Sequence, residues 1–311
     1  MGVGPMRIEQ PGYVNDRITL LGRNESCVYL VDGKDEYAIL GGGMTYIIPD
    51  VMAQIKAANI EVEKIKRLVL HHSHFDHVGI APFLKQQWPW IKVTASVRAK
   101  ELLAREDVVA GIVGFNKMML PKKAQDHLIE SLDIKTIEVD ETVVQGDVLS
   151  CGDLDFEVID VPGHSSCSMA VYIPGEKVLS ASDSAGILFG DKVFAAANSN
   201  FDLYQESLKK MAEYEVAIHL FEHYGALTQP AGNEFMKQSM ADAGIMRQMI
   251  EEIYDTTQDE QKTVEALLTA VSTTASGYFL PKKIMAVVLG QMTRFIAKQH
   301  AAKKSRFTPS P

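Results

Sequence analysis

The chain has 311 residues, of which 46% are hydrophobic and 23% charged, proportions that suit a globular fold with one large core or two smaller ones and exclude a disordered or collagen-like chain. Its 40 acidic and 31 basic residues leave a net charge of -9 with no local basic stripe, which excludes a phosphate backbone as the expected partner. No run approaches the roughly 18 apolar residues of a membrane helix, and MGVGPMRIEQ has neither the basic nor the apolar part of an export signal. The expectation is therefore a cytoplasmic protein with no membrane partner. Cys27, Cys151 and Cys167 are odd in number and form no CxxC pair, so neither a disulfide framework nor a thiolate zinc site is expected.

In chain order, residues 17–40 hold short β-branched bursts (ITLLG, CVYLVDG, YAILGGG) separated by glycines, the pattern of two or three strands in a meander. Residues 46–59 change period, with Ile48, Val51, Met52 and Ile55 on one helical face and Pro49 in the first turn. Residues 65–106 then alternate strand (IKRLVLHH), helix (HVGIAPFLKQQW), strand (IKVTAS) and helix (VRAKELLARE), as covered parallel units do. Residues 107–131 predict a helical insertion. From Ile134 to Ala181 strands return (IKTIEVD, TVVQGDVLSC, LDFEVIDV, MAVYIP, KVLSAS), followed by a helix near Leu203–Tyr214 and the strand VAIHLFEH. Helical periods over 232–254, 259–275 and 281–303 close the chain. Two domains are expected: a layered α/β unit over 6–230 and a helical C-terminal extension over 231–305.

The chemistry concentrates after RLVLH, where His72, His74, Asp76 and His77 form an HxHxDH array on one strand-to-helix turn. Composition alone produces such an array about once in two thousand chains of this length. His164 in VPGHSS, Asp183 in SASDS and His223 in LFEHYG each stand where a predicted strand gives way to a loop, the place where sites are carried. Five imidazoles and two carboxylates without a thiolate suit borderline divalent ions such as zinc, iron or manganese, and seven ligands exceed one tetrahedral centre. Two metal ions are expected. A water held between two cations loses its proton near neutral pH, so hydrolysis is the natural reaction, with Asp76 and Asp183 as its central carboxylates.

HxHxDH followed in order by PGH, (S/G)D and a final histidine resembles the metallo-β-lactamase fold superfamily over roughly residues 15–230. The resemblance implies a four-layer αββα sandwich. It implies one metal held by His72, His74 and His164, a second by Asp76, His77 and His223, and Asp183 bridging them. Within the superfamily, Gly41–Gly43 in place of DTG, the 107–131 insertion, YQESLKKM and FLPKKIMAVVLGQMTRFIAKQ are similar to the quinolone-signal response thioesterases, which share a helical C-terminal extension with glyoxalase II-like enzymes. Ser168, four residues past His164, stands where glyoxalase-like members often have a second histidine. Glu222 and Tyr224 flank His223 where glycine is usual.

The function expected is a dinuclear hydrolase of thioesters, esters or lactones with an apolar or aromatic acyl group. Phe115, Met118, Met119, Tyr278 and Phe279 are its candidate pocket walls. The alternatives are a regulatory or signalling protein that retains the metal site with little turnover, and an iron-dependent oxygen-using enzyme of the same fold. The Met-rich C-terminal helices carry apolar surface that predicts packing over the site mouth and a homodimer. Gly41–Gly43 are read as a close backbone approach beneath the metals, Cys167 as a small buried residue, and His71 as a strand-end residue, with a supporting partner of the metal ligands as the alternative. His127, His219 and His300 are assigned no role.

Overall fold

The computed structural model describes residues 7–122, 126–229, 231–274 and 280–307. A short strand β1 (Arg7–Ile8) joins the second of two seven-stranded sheets, while the next seven strands build the first sheet in chain order. These are β2 (Gly12–Tyr13), β3 (Ile18–Arg23), β4 (Ser26–Asp32), β5 (Tyr37–Leu40), β6 (Ile65–Leu70), β7 (Lys92–Ser96) and β8 (Glu141–Val143). Tight turns make β2 to β5 antiparallel, and helical crossovers make β5 to β8 parallel. The crossovers carry α1 (Ile48–Ala57), α2 (Ala81–Gln87), α3 (Val97–Leu103), α4 (Glu106–Met119) and α5 (Asp126–Glu130). Pro49 and Pro82 sit in the first turns of α1 and α2, where no amide is needed for the helix ladder.

The second sheet holds β9 (Val148–Cys151), β10 (Leu154–Asp160), β11 (Met169–Ile173), β12 (Val178–Ser180), β15 (Ile218–Leu220) and β16 (Ala226–Leu227), with β1 at its edge beside β16. Only β12 and β15 pair in parallel in this sheet, through a crossover that contains α6 (Phe201–Met211). A separate hairpin, β13 (Ile187–Phe189) and β14 (Lys192–Phe194), lies within that crossover. Helices α7 (Ala231–Thr257), α8 (Glu260–Thr274) and α9 (Lys282–Phe307) complete the chain.

Three apolar clusters define four layers. Ile18, Leu20, Tyr29 and Leu40 of the first sheet meet Phe156, Val158, Met169 and Val171 of the second in the middle. Val51 and Ile55 of α1, Leu84 of α2 and Leu103 of α3 cover the outer face of the first sheet. Phe201, Tyr204 and Leu208 of α6, Phe235 and Ala243 of α7, Leu267 of α8 and Leu289 and Met292 of α9 cover the second. The fold is the expected αββα sandwich. Its C-terminal helices belong to the outer layer over the second sheet, so α7 shares one core with the strands that precede residue 230.

Two local expectations change. IKTIEVD does not join a ladder: Ile137 and Val139 are buried in alternation as a strand would require, yet the segment makes isolated bonds from Ile137 N to Leu103 O (2.9 Å) and from Asp140 N to Val93 O (2.9 Å). The hairpin at 187–194 is an addition to the expected elements, because its two three-residue strands are too short to show a period.

Candidate metal centre

Strands β6, β10, β12 and β15 all end toward one edge of the sandwich, and each delivers part of the site. Past Leu70 the chain leaves β6 through His71–His74 and enters a single 3-10 turn, Phe75–His77. That turn is pinned from two sides. Asn116 of α4 donates from Nδ2 to Phe75 O (2.7 Å) and accepts from Thr45 N (3.0 Å). Gly79 N and Ile80 N donate to Gly43 O (2.7 Å) and Gly42 O (2.9 Å). A Cβ at Gly42 would lie 2.4 Å from His77 O, so glycine is required where the end of β5 passes beneath the array. Asp183 follows β12 on another 3-10 turn, opened by Ser182 at a left-handed φ of 49°. Tyr224, directly after His223, is also left-handed at 64°. Non-glycine residues held in that region concentrate at functional sites.

The seven side chains form interlocking trios: His72, His74 and His164; His72, His77 and Asp183; and Asp76, His77 and His223, with ligand atoms within 4.8 Å of one another in each. His164 Nε2 is 3.1 Å from His72 Nε2 and 2.9 Å from His74 Nδ1. His223 Nε2 is 3.2 Å from His77 Nε2 and 3.5 Å from Asp76 Oδ2. Asp183 reaches both groups, with Oδ2 3.2 Å from His77 Nε2 and 3.6 Å from His164 Nε2, and Oδ1 3.7 Å from His223 Nε2.

The outer ring nitrogens fix the tautomers. His164 Nδ1 donates to Ala196 O (2.7 Å) and His223 Nδ1 to Glu25 O (2.7 Å), which leaves both Nε2 lone pairs facing inward. A neutral ring carries one N–H, so three converging nitrogens cannot all satisfy one another. A bound cation would do so, and the nitrogen and oxygen donor set fits a borderline divalent ion.

Electrostatics divide the site. Burial, helped by neighbouring imidazoles, pushes His72 well below its ordinary pKa and His74 down to about 3, and burial also lowers His164. These rings are neutral and competent as ligands. Burial works against charge on His77 and His223 too, but Asp183 together with Asp76, and Glu222 beside His77, raise both. Asp183 is held low by His77 and His223 against the same burial penalty. This carboxylate-rich half attracts positive charge, which a bound divalent ion would supply in place of protons.

In the sequence Glu222 stands out only as an unusual neighbour of His223, and the structure puts it to use. Its side chain is 1% exposed; Oε1 is 2.9 Å from His71 Nδ1 and Oε2 3.1 Å from His77 Nδ1. Oε2 also accepts from Gly42 N (3.2 Å). Burial disfavours its charge, yet His77 and His71 hold the carboxyl below the usual range. Gly41, at φ +91°, leaves the space: a Cβ there would meet Glu222 Cδ at 2.7 Å. His71, read as a strand-end residue, is thus a buried partner of Glu222 and, through Nε2, of Ser180 Oγ (3.0 Å). The signal available in the sequence is the pairing of an acid before His223 with glycine in place of the DTG aspartate. Among the other histidines, His219 is buried with Nε2 donating to Gly232 O (3.0 Å) and lies away from the trios.

A cleft of about 290 Å³ opens beside His74, Asp76, His164 and Asp183, walled by Ile112 and Phe115 of α4, Ile187 and Phe194 of the hairpin, and Ile284 and Val288 of α9. Of the candidate wall residues, Phe115 lines this cleft and packs against Phe75 with the rings tilted and their centroids 5.2 Å apart. Met118 does not line it: at about 100° per residue it lies roughly 80° off the face carrying Val108, Ile112 and Phe115, and it is 58% exposed. Met119 is on that face but one turn further along, and lines a different cavity with Tyr46 and Tyr224. Tyr278 and Phe279 lie outside the described residues. The wall from α9 agrees with the expectation that the C-terminal helices pack over the site mouth, while the hairpin wall has no signature in the sequence.

Two facing sheets between helical layers, with clustered histidines and aspartates at one edge, define an αββα fold with a candidate metal centre. Residues 21–223 match the family model of the metallo-beta-lactamase superfamily, and the chain belongs to that superfamily. It is similar to the metallo-beta-lactamase fold-containing protein ST1585 of Sulfurisphaera tokodaii, with 26% identity over 209 residues, 66% of this chain and 78% of that protein. A hydroxyacylglutathione hydrolase of Mesorhizobium japonicum is 32% identical over 83 residues, 27% of this chain and 31% of that enzyme. Among solved structures, the metallo-beta-lactamase family protein TTHA1429 of Thermus thermophilus shares the fold, with a TM-score of 0.62 at 14% identity over 96% of this chain and 94% of its own. No helix among the described residues is long and apolar enough to cross a membrane.

Proposed function

We propose that the protein is a dinuclear metal-dependent hydrolase of esters or thioesters with an apolar or aromatic acyl group. The observation that carries this reading is the juxtaposition of the interlocking trios with the apolar cleft, which has His74, Asp76, His164 and Asp183 in its wall. His72, His74 and His164 would hold one ion, Asp76, His77 and His223 the other, and Asp183 would touch both. When bound, two divalent ions, zinc or iron with manganese as a third candidate, supply a nucleophile at neutral pH and stabilise charge on the carbonyl oxygen. In their neutral rings His164, His223 and His77 direct the outer N–H to Ala196 O, Glu25 O and Glu222, which would leave the inner nitrogens free to hold the ions. Asp76 and Asp183 balance the cationic charge, and α4, α9 and the hairpin exclude water from the acyl group.

The partial likeness to a hydroxyacylglutathione hydrolase supports thioester or ester chemistry, and the sequence resemblance to quinolone-signal response thioesterases is carried as part of the proposal. The cleft wall contains no Lys or Arg among the described residues, which disfavours a phosphodiester or a carboxylate-anchored β-lactam. Metal-replete protein assayed on p-nitrophenyl esters, acyl thioesters, lactones and bis-p-nitrophenyl phosphate tests this reading. Faster turnover of an ester or thioester supports it; much faster turnover of the phosphodiester rejects the substrate class. We place the enzyme in the cytoplasm as a homodimer.

A further inference from the structure

The β13–β14 hairpin supplies Ile187 and Phe194 to the cleft wall, yet it pairs with neither seven-stranded sheet. Two three-residue strands make a ribbon that is marginal on its own in water. Its place beside the metal centre therefore depends on what grips it from outside. Helix α7 grips the second half: Asp242 Oδ2 accepts from Val193 N (2.9 Å), and Gln238 donates from Nε2 to Asp191 O (2.7 Å).

The first half is gripped from the far end of the chain. Arg7 of β1 donates from Nη1 to Gly190 O (2.9 Å) and from Nη2 to Leu188 O (2.9 Å). Its Nε lies 3.0 Å from Glu9 Oε1 and 3.4 Å from Tyr224 O, the carbonyl of the residue after His223. A planar guanidinium can hold two carbonyls at once in a fixed geometry, which the single ammonium of a lysine cannot reproduce. Strand β1 is itself set on the frame that carries His223. It pairs with β16 through Arg7 and Leu227 and through Ile8 and Ala226, and a Cβ at Gly225 would collide with Ile8 O. On the hairpin's other side, Phe189 packs against the Tyr224 ring with centroids 5.1 Å apart. The Arg7 fork thus references one wall of the cleft to the turn that holds a metal-site histidine. Arg7 does not line the cleft.

Resting on the hydrolase reading above, we propose that Arg7 is a positioning residue for acyl selectivity: by holding Leu188 O and Gly190 O it keeps Ile187 and Phe194 where they meet a long acyl group. A wall acts only on the part of a substrate that reaches it. Loss of the clamp therefore falls on a long acyl chain and spares an acetyl group.

The N-acetylcysteamine thioesters of octanoate and acetate, assayed on metal-replete wild type, Arg7→Ala and Arg7→Lys, test this. The octanoyl-to-acetyl ratio of kcat/KM is expected to fall about tenfold in Arg7→Ala, through KM for the octanoyl thioester, the worth of one charge-assisted hydrogen bond. Arg7→Lys falls between the two. An unchanged ratio, or an equal loss on both thioesters, overturns the proposal. Hydrogen exchange reads the clamp without turnover: in Arg7→Ala, residues 187–194 exchange faster while residues 71–77 and 164–173 keep their rates. No change over 187–194, or a uniform rise along the chain, overturns it as well. If the wild type hydrolyses neither thioester, the hydrolase reading fails, and calorimetry with octanoate decides the role of Arg7. Binding about tenfold weaker in Arg7→Ala supports that role, and equal affinity overturns it.

Discussion

Glu222 shows how much of the site is set by one buried side chain. It accepts from His71 and His77 and occupies the space that a side chain at Gly41 would need. Groups that orient a metal-binding histidine through its outer nitrogen typically change metal affinity by about 10–100-fold when removed. Glu222→Gln is therefore expected to weaken binding at the Asp76, His77 and His223 trio by that amount while the His72, His74 and His164 trio keeps its ion, as read by metal titration. Equal weakening of both trios, or of neither, contradicts the assignment.

A second residue-scale prediction concerns His219, which is stacked against Phe221 and near Phe235 and pushed by burial down to about 4 from 6.5. Between those values the unfolded chain binds a proton that the folded chain refuses, so stability falls as pH drops through the window. The full effect is about 3 kcal/mol. Urea unfolding of His219→Phe at pH 7 and pH 5 should show a smaller drop than wild type, and an unchanged drop rejects the account.

At the scale of elements, the cleft is assembled from pieces far apart in the chain: α4, the β13–β14 hairpin and α9. Phe115→Ala is expected to raise KM for aryl and long-chain acyl substrates by an amount worth about 1–3 kcal/mol, with short acyl esters little affected. Met118→Ala, on the exposed side of α4, leaves the profile unchanged. A KM shift from Met118 and none from Phe115 would place the pocket elsewhere.

What is readable in the sequence follows the range of the interaction. The HxHxDH turn and the three strand-end ligands are legible because each segment carries its own local signal: a strand, then a chemically distinctive residue. The parallel units and C-terminal helices are legible from period. The Glu222 hub and the hairpin wall are not, since a hydrogen bond between residues 71 and 222 leaves no pattern in either neighbourhood. Residues 134–140 mislead for the opposite reason. They bury alternate side chains as a strand does, while the partner strand that would complete a ladder is absent from their side among the described residues.

Taken whole, the molecule uses its C-terminal helices as a fourth layer and as one wall of the cleft. Their apolar faces are largely satisfied within the chain by the second sheet and α6. Among the described residues, Ile245 of α7 and Val287 of α9 are the exposed large hydrophobics on them, at 58% and 51%; Val287 lines the cleft, so the proposed homodimer is tested at Ile245. Ile245→Glu is expected to shift a dimer to monomer in light scattering without loss of helical signal; a wild type that is monomeric at high concentration removes the dimer from the account.

The central claim is that seven side chains on four strand ends hold two divalent ions in a shared site. Elemental analysis of metal-replete protein, paired with Asp183→Ala, addresses it most directly. The account predicts two ions per chain in the wild type, a reduced stoichiometry in the variant and loss of hydrolysis with the metal. One ion per chain in the wild type, unchanged by Asp183→Ala, would contradict it.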